Sequence, residues 1–374
     1  MRSAAGDPVT LFLCGDVMLG RGVDQILPHP GDPALREPHV RDAGAYVELA
    51  EAANGPIPRP AAYSWPWGDT LEVLDEAAPD VRVLNLETSV TRAADFAPGK
   101  AVHYRMNPAN LPALTMARPD VCVLANNHVL DFGVRGLAET LDVLAEAGLG
   151  RAGAGRDEDE AWRPAVVPLP GGGRVLVFAA AMPSSGVPGG WAARRDRPGV
   201  AFLPAPSPDC AAETVHRVRR VRRPGDVVVV SVHWGSNWGY EVGDDQAGFA
   251  HALVDGGVDL VHGHSSHHPR PAEVYRDRLI LYGCGDFIDD YEGITGCEEY
   301  RDDLRLLYFA TVEAASGRLR ELRMAPMRAV RMRLRHAGDE DREWLRGTLD
   351  RIGRRFGART GPAPGGTLVL APAG

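Results

Sequence analysis

Short apolar runs separated by polar turns set the rhythm of this chain. Val9–Cys14, Val81–Leu84, Val121–Leu124, Val175–Ala180, Val227–Val232, Leu260–His262 and Leu279–Tyr282 are dominated by Val, Leu and Ile without strict polar alternation. Such runs predict strands buried on both faces, as in parallel sheets covered by helices. Between them the period lengthens. In Val134–Ala147, Leu137, Leu141 and Leu144 fall at i, i+4 and i+7, and the segment stops at Gly148. That pattern predicts a helix with one buried stripe. Gln246–Asp255 and Asp339–Phe356 read the same way. The β–α alternation predicts a layered α/β sandwich, with residues 1–374 forming one domain.

Three segments break the rhythm. Pro28–Trp67 is rich in Pro and Gly and brings Tyr63, Trp65 and Trp67 close together. An insertion of that length usually shapes a binding site. It is expected here as an aromatic lip, with a plain packed insertion as the alternative. Met182–Arg197 is a second Gly/Pro-rich loop, carrying Trp191. Residues 337–374 are expected as a helical extension.

The polar residues that follow the apolar runs carry the chemistry. They are Asp16 in Gly15-Asp16, Asn85-Leu86-Glu87, Asn126-Asn127-His128, His233-Trp234-Gly235 and His262-Gly-His264-Ser-Ser-His267-His268. Carboxylates, amides and neutral imidazoles are divalent-cation ligands, and the carboxyl edge of an α/β sheet is where ligands bind. Asp16, Glu87, Asn127, His233, His264 and His262 are therefore candidate metal ligands, with Asn85 as an orienting neighbour. His128, with Asp131 three residues on to orient it, is a candidate proton shuttle, as is His267. Asp16 can serve in either role. Trp234 is expected to wall the pocket, and Asp286 in Gly-Cys-Gly-Asp-Phe is a weaker candidate.

Composition narrows the classes of partner. With 374 residues, 44% hydrophobic and 24% charged, the chain is that of a globular protein, and its formal charge of −9 argues against nucleic acid or an anionic membrane surface. The basic run Arg217–Arg223 is expected as a solvated helix end. Five cysteines, three in or beside apolar runs, suit reduced thiols. Only ten residues precede Leu11, and no apolar stretch of ~18 residues occurs. A cytoplasmic location is expected. Gly153-Ala-Gly155 lacks the strand-to-helix context of a dinucleotide fingerprint.

Taken in order, Gly15–Arg21 (GDVMLGR), NLE at 85–87, Leu124–Gly133 (LANNHVLDFG), Gly153–Gly155, His233–Gly235 (HWG), Gly263–His267 (GHSSH) and Leu281–Phe287 (LYGCGDF) resemble the CapA family of poly-gamma-glutamate synthesis proteins. The resemblance implies a calcineurin-like metallophosphoesterase fold. It also implies a departure. Dinuclear members of that fold carry Asp-x-His and Gly-His-x-His, where this chain has Asp16-Val17-Met18 and Gly263-His264-Ser265-Ser266. Both missing imidazoles serve one of two metals, so one divalent ion (Mn, Zn, Ca or Mg) is expected. The soluble branch that the chain resembles accompanies ribosomal-peptide gene clusters and includes lasso-peptide Cα epimerases. The expected function is accordingly a metal-dependent enzyme acting on a peptide substrate, a precursor peptide with a leader-binding partner, by Cα epimerisation. The alternatives are a phosphoester hydrolase and a poly-gamma-glutamate synthesis or processing protein.

Overall fold

A computed structural model describes residues 8–170 and 172–372. The chain opens with four strands, β1 (Pro8–Val17), β2 (Val81–Leu86), β3 (Val121–Val123) and β4 (Gly150–Ala152), all mutually parallel and in spatial order. It then crosses to a second sheet made of β5 (Ala165–Pro168), β6 (Arg174–Ala181), β7 (Val227–His233), β8 (Leu260–His264), β9 (Ala272–Tyr275) and β10 (Arg278–Leu281). Their order is β9-β10-β8-β7-β6-β5, with a parallel centre and antiparallel edges.

The chain returns to the first sheet through β11 (Asp286–Ile288), which pairs parallel with β1. It finishes that sheet with β12 (Leu304–Glu313), β13 (Leu319–Ala329), β14 (Leu334–His336), β15 (Ala358–Pro362) and β16 (Leu368–Pro372), giving ten strands. The layered α/β sandwich is as expected. The C-terminal segment is not wholly helical. A helix at Asp339–Gly353 is followed by the β15–β16 hairpin, which extends the first sheet through β13.

Side-chain parity explains how the second sheet is buried. On β7, Val227 and Val229 belong to the core shared between the sheets, while Val228, Val230 and Val232 belong to the outer core. With α1 at Gly44–Asn54, α2 at Thr70–Ala77 and α3 at Gly133–Glu146, the outer core also holds the buried faces of α4 (Pro208–Val221) and α5 (Asp244–Asp255). Alternation then puts Ser231 and His233 on the inner face. The same holds on β8, where Leu260 faces inward and Val261 outward, so His262 and His264 turn toward the first sheet. Among the described residues, no helix is long and apolar enough to cross a membrane.

The Pro28–Trp67 insertion divides in two. Trp67 is fully buried and donates Nε1–H to the Ala113 carbonyl at 2.6 Å, and Trp65 donates to the Arg331 carbonyl at 2.9 Å. Tyr63 and Trp65 pack on the main core. The aromatic trio is thus a packed element and not a lip. Trp65 is covered by the segment around Arg331 and Arg333 and Trp67 by Ala113 and Phe287, and no sequence signal links those residues to the insertion. The part of the insertion that reaches the pocket is α1.

Candidate metal centre and its pocket

The carboxyl ends of β1, β2, β3, β7 and β8 meet between the two sheets. At Asp16, β1 lies between β2 and β11, in register with Asn85 and Asp286. Close approach there demands glycine: a Cβ on Gly15 would sit 1.6 Å from the Gly285 carbonyl oxygen. After β3 the chain turns through Asn126, whose Oδ1 accepts from the N–H groups of His128 (3.1 Å) and Val129 (3.0 Å). Its Nδ2 donates to the Leu86 carbonyl (2.9 Å) and to Asn85 Oδ1 (3.1 Å). This side-chain-built turn aims Asn127 and His128 at the site. Asn85 in turn donates Nδ2 to Asp16 Oδ1 (2.7 Å) and Glu87 Oε2 (3.2 Å), holding the two carboxylates together.

Ligand atoms of Asp16, His233 and His264 all lie within 4.8 Å of one another, and all three residues are buried. Their protonation follows from a chain of hydrogen bonds. His262 Nε2 is 2.9 Å from the Cys14 carbonyl oxygen, which only accepts, so Nε2 carries the proton. Burial depresses the His262 pKa to about 4, so the ring is neutral and its Nδ1 is bare. The Ser231 hydroxyl, 3.0 Å away, donates to that Nδ1 and accepts from His264 Nε2 at 2.8 Å. His264 is also held neutral, by burial and then by His233, which leaves its Nδ1 as a lone pair.

His233 Nδ1 is 2.7 Å from that nitrogen. With the Asn127 amide assigned so that Oδ1 faces the ring at 2.9 Å, His233 Nε2 carries the proton and its Nδ1 is bare as well. Burial, and next His128, keeps this imidazole neutral. Two lone pairs thus face each other, with Asp16 Oδ1 4.0 Å from His264 Nδ1. Such an arrangement calls for a positive centre. The neighbouring carboxylates say the same. Asp16 is pushed up to about 7 by burial and then by Asp286, and Glu87 is raised by burial and then by Asp16. Acids forced together out of water are stabilised by a cation. The donor set therefore fits a divalent ion held by Asp16, His233 and His264.

The rest of the expected ligand set divides at the His233 ring. Asn127 and Glu87 lie on its Nε2 side, Glu87 Oε1 being 3.8 Å from both His233 Nε2 and His128 Nε2. A single ion on the Nδ1 side does not also meet the Nε2 nitrogen. His262 is corrected: both of its nitrogens are engaged, by Cys14 and Ser231, so it ties the two sheets together and is not a ligand. Trp234 is corrected too. It is buried in the outer core, stacked on Tyr282 with Nε1 on the Tyr282 carbonyl, and does not face the pocket. The basic run at 217–223 is a helix end whose Arg217 pairs with Glu213 and Glu158 and whose Arg222 pairs with Asp259.

A cavity of about 630 Å³ opens on the Glu87, Asn127 and His128 side of the cluster. Met18, Leu49, Ala50, Ala53, Val102 and Ile294 form its apolar side, and Glu87, Asn127, His128, His267 and Tyr291 its polar side. His128 Nδ1 rests on Asp131 Oδ2 at 2.6 Å, with burial lowering the ring to about 4. His267 behaves oppositely. Burial opposes its charge, but Asp286 at 3.0 Å raises it to about 9. Tyr291 donates to Asp286 Oδ2 at 2.6 Å, and Asn237 meets His267 Nε2 at 2.9 Å. Ser265, next to His264, lines the cavity at φ 107, a conformation that a non-Gly residue adopts only under constraint.

Sequence reasoning missed Ser231, Tyr291 and Lys100. Ser231 and Tyr291 carry no local signal. Lys100 does, because it is the only lysine among 41 basic residues.

A profile of the family described as "Bacterial capsule synthesis protein PGA_cap" matches residues 10–291, a span that contains every residue of the cluster and its cavity wall up to Tyr291. A probable polyglutamine synthesis accessory protein of Mycobacterium tuberculosis is 55% identical over 372 residues, covering 99% of this chain and 98% of that one. The PGA biosynthesis protein CapA of Bacillus subtilis is 28% identical over 292 residues, covering 78% of this chain and 66% of its own. Among solved structures, a 5'-nucleotidase precursor of Thermus thermophilus aligns with a TM-score of 0.46 at 15% identity, across 86% of this chain and 54% of that one.

Proposed function

The chain belongs to the PGA_cap family of bacterial capsule synthesis proteins, and from that premise we propose a divalent-metal-dependent accessory enzyme that acts on the amide backbone of a polyglutamyl chain. The observation that carries this reading is the His128–Asp131 pair at the cavity wall, with Glu87, which also lines the cavity and lies 3.8 Å from both His128 Nε2 and His233 Nε2, joining that wall to the buried Asp16–His233–His264 donor set. A cation held by that set would polarise an amide carbonyl. His128, neutral and anchored through Nδ1, offers Nε2 to take a proton. His267, protonated beside Asp286, can return one. Two titratable groups driven apart by their surroundings are the usual mark of paired base and acid roles. The apolar side of the cavity, with α1 as its wall, suits the methylene groups of glutamyl units.

The names of the relatives favour polymer synthesis over Cα epimerisation of a precursor peptide, so the polymer alternative becomes the main reading. The free cysteines, four of them buried, suit the reducing cytoplasm as its place of work. The test is incubation of the protein with poly-gamma-glutamate and Mn²⁺, following chain length by size-exclusion chromatography with light scattering. A chelator-sensitive change in chain length, abolished in His128→Gln, is expected. Unchanged polymer together with phosphate release from aryl phosphates would replace this reading with a phosphoester hydrolase. Unchanged length with deuterium uptake at Cα from deuterium oxide would restore epimerisation.

A further inference from the structure

Lys100 is the chain's sole lysine, and its place is unusual. Every other basic residue of the 41 is arginine, including those in the buried ion pairs Arg21–Asp290 and Arg305–Asp289. A composition so tilted toward arginine makes the one position that keeps an ammonium informative about geometry. Lys100 lines the cavity, its side chain 15% exposed. Its Nζ donates to Asp131 Oδ1 at 2.5 Å and to the backbone carbonyl of Asn127, and lies 3.3 Å from His128 Nδ1. The other oxygen of Asp131 accepts from His128 Nδ1 and from the Tyr104 N–H at 2.7 Å. One nitrogen atom therefore fastens both ends of the 127–131 turn.

We propose that Lys100 is a positioning residue that braces this turn, setting the Asn127 amide against His233 Nε2 and the His128 ring against Asp131. The inference rests on the proposal that Asn127 and His128 belong to the working site. A lysine suits the task for a stated reason. An ammonium brings its donors to one point, whereas a guanidinium is a planar fork that places a carbon and two more nitrogens there. That extra volume would meet the His128 ring on one side and Trp191, whose ring centroid is 5.2 Å from Nζ, on the other. Charge alone is not what the position selects.

Lys100→Arg, which keeps the charge, and Lys100→Met, which keeps most of the length, separate charge from geometry. Two readouts are taken on full-length protein of verified melting temperature. The first is Mn²⁺ affinity by calorimetry. The second, in metal-free protein, is the low-field proton resonance of the His128 Nδ1–H, identified by its absence in His128→Gln. Both substitutions are expected to weaken Mn²⁺ binding by ~10–100-fold, the usual effect of losing a partner that orients a ligand. Both should also broaden or shift the His128 resonance. If Lys100→Arg matches wild type in both readouts, the brace is wrong and the position needs only a positive charge. If wild-type protein binds no Mn²⁺, the metal reading itself falls, and the His128 resonance alone decides for or against the brace.

Discussion

Replacing Ser231 by Ala removes one hydroxyl and tests the whole chain of proton assignments behind the candidate metal centre. The Ser231 side chain is fully buried on the inner face of β7, and its Oγ meets His262 Nδ1 at 3.0 Å and His264 Nε2 at 2.8 Å. Because the Cys14 carbonyl forces the proton of His262 onto Nε2, the hydroxyl must donate to His262 and accept from His264. In Ser231→Ala both partners lose their bond where water has no access. An unsatisfied buried group costs ~1–3 kcal/mol, so the pair predicts a stability loss of a few kcal/mol. His264 is also released from the tautomer that presents Nδ1 to Asp16 and His233, and cation affinity should fall ~10–100-fold.

Calorimetric titration with Mn²⁺ and thermal unfolding measure the two effects separately. Ser231→Thr is the control. It keeps the hydroxyl but adds a methyl to a filled core, costing ~1–3 kcal/mol of stability while leaving Mn²⁺ affinity near wild type. Wild-type Mn²⁺ affinity in Ser231→Ala, whatever its melting temperature, would refute the tautomer argument and with it the placement of the ion on the Nδ1 side of His233.

Two further outcomes follow from burial and charge. Trp67→Ala should cost ~3–5 kcal/mol, since it empties a fully buried site and strands the Ala113 carbonyl, whereas Trp65→Ala, on a half-buried ring, should cost less and leave Mn²⁺ binding unchanged. Chemical denaturation of the two variants checks the ranking. Mn²⁺ affinity should climb as the pH is raised toward about 7 and level off above it, because the proton held by Asp16 competes with the cation. In the metal-free protein the same raised carboxyl works the other way. Its contribution to stability is present below the unfolded value of ~3.9 and is lost as the pH rises through about 7, so the melting temperature should drop across that window and recover on adding Mn²⁺.

How far the sequence revealed this arrangement depends on what kind of fact was asked of it. Each of the seven apolar runs became a strand, because an unbroken Val/Leu/Ile run leaves the chain no solvated face and only the interior of a covered sheet accepts it. The strands after residue 300 went unread. Leu304–Glu313 breaks its buried apolar run with Arg305, and Leu319–Ala329 interleaves exposed Arg320, Glu321 and Arg328 with buried apolar residues on the antiparallel side of the first sheet. The tryptophans of the insertion are legible as a cluster, expected as a lip, but what covers them comes from residues 113 and 331. No local pattern announces that pairing.

Within the site, residue types and spacing identified the cluster but not the direction in which each ring points. His262 and His264 are the same residue type, two apart, on the same inward face of one strand, and by pattern alone they are equivalent. Their difference is made by the carbonyl of Cys14, 248 residues away, on a strand of the other sheet. That carbonyl fixes a proton on His262, Ser231 passes the constraint across β7, and the bare nitrogen emerges on His264 beside Asp16. A ligand set is therefore settled by which lone pairs the surrounding backbone leaves unspent, a property of the packed sheets. Asn127 shows the same rule from the other side of His233: its amide oxygen, of a type suited to a cation, is already used in holding the proton of His233 away from the site.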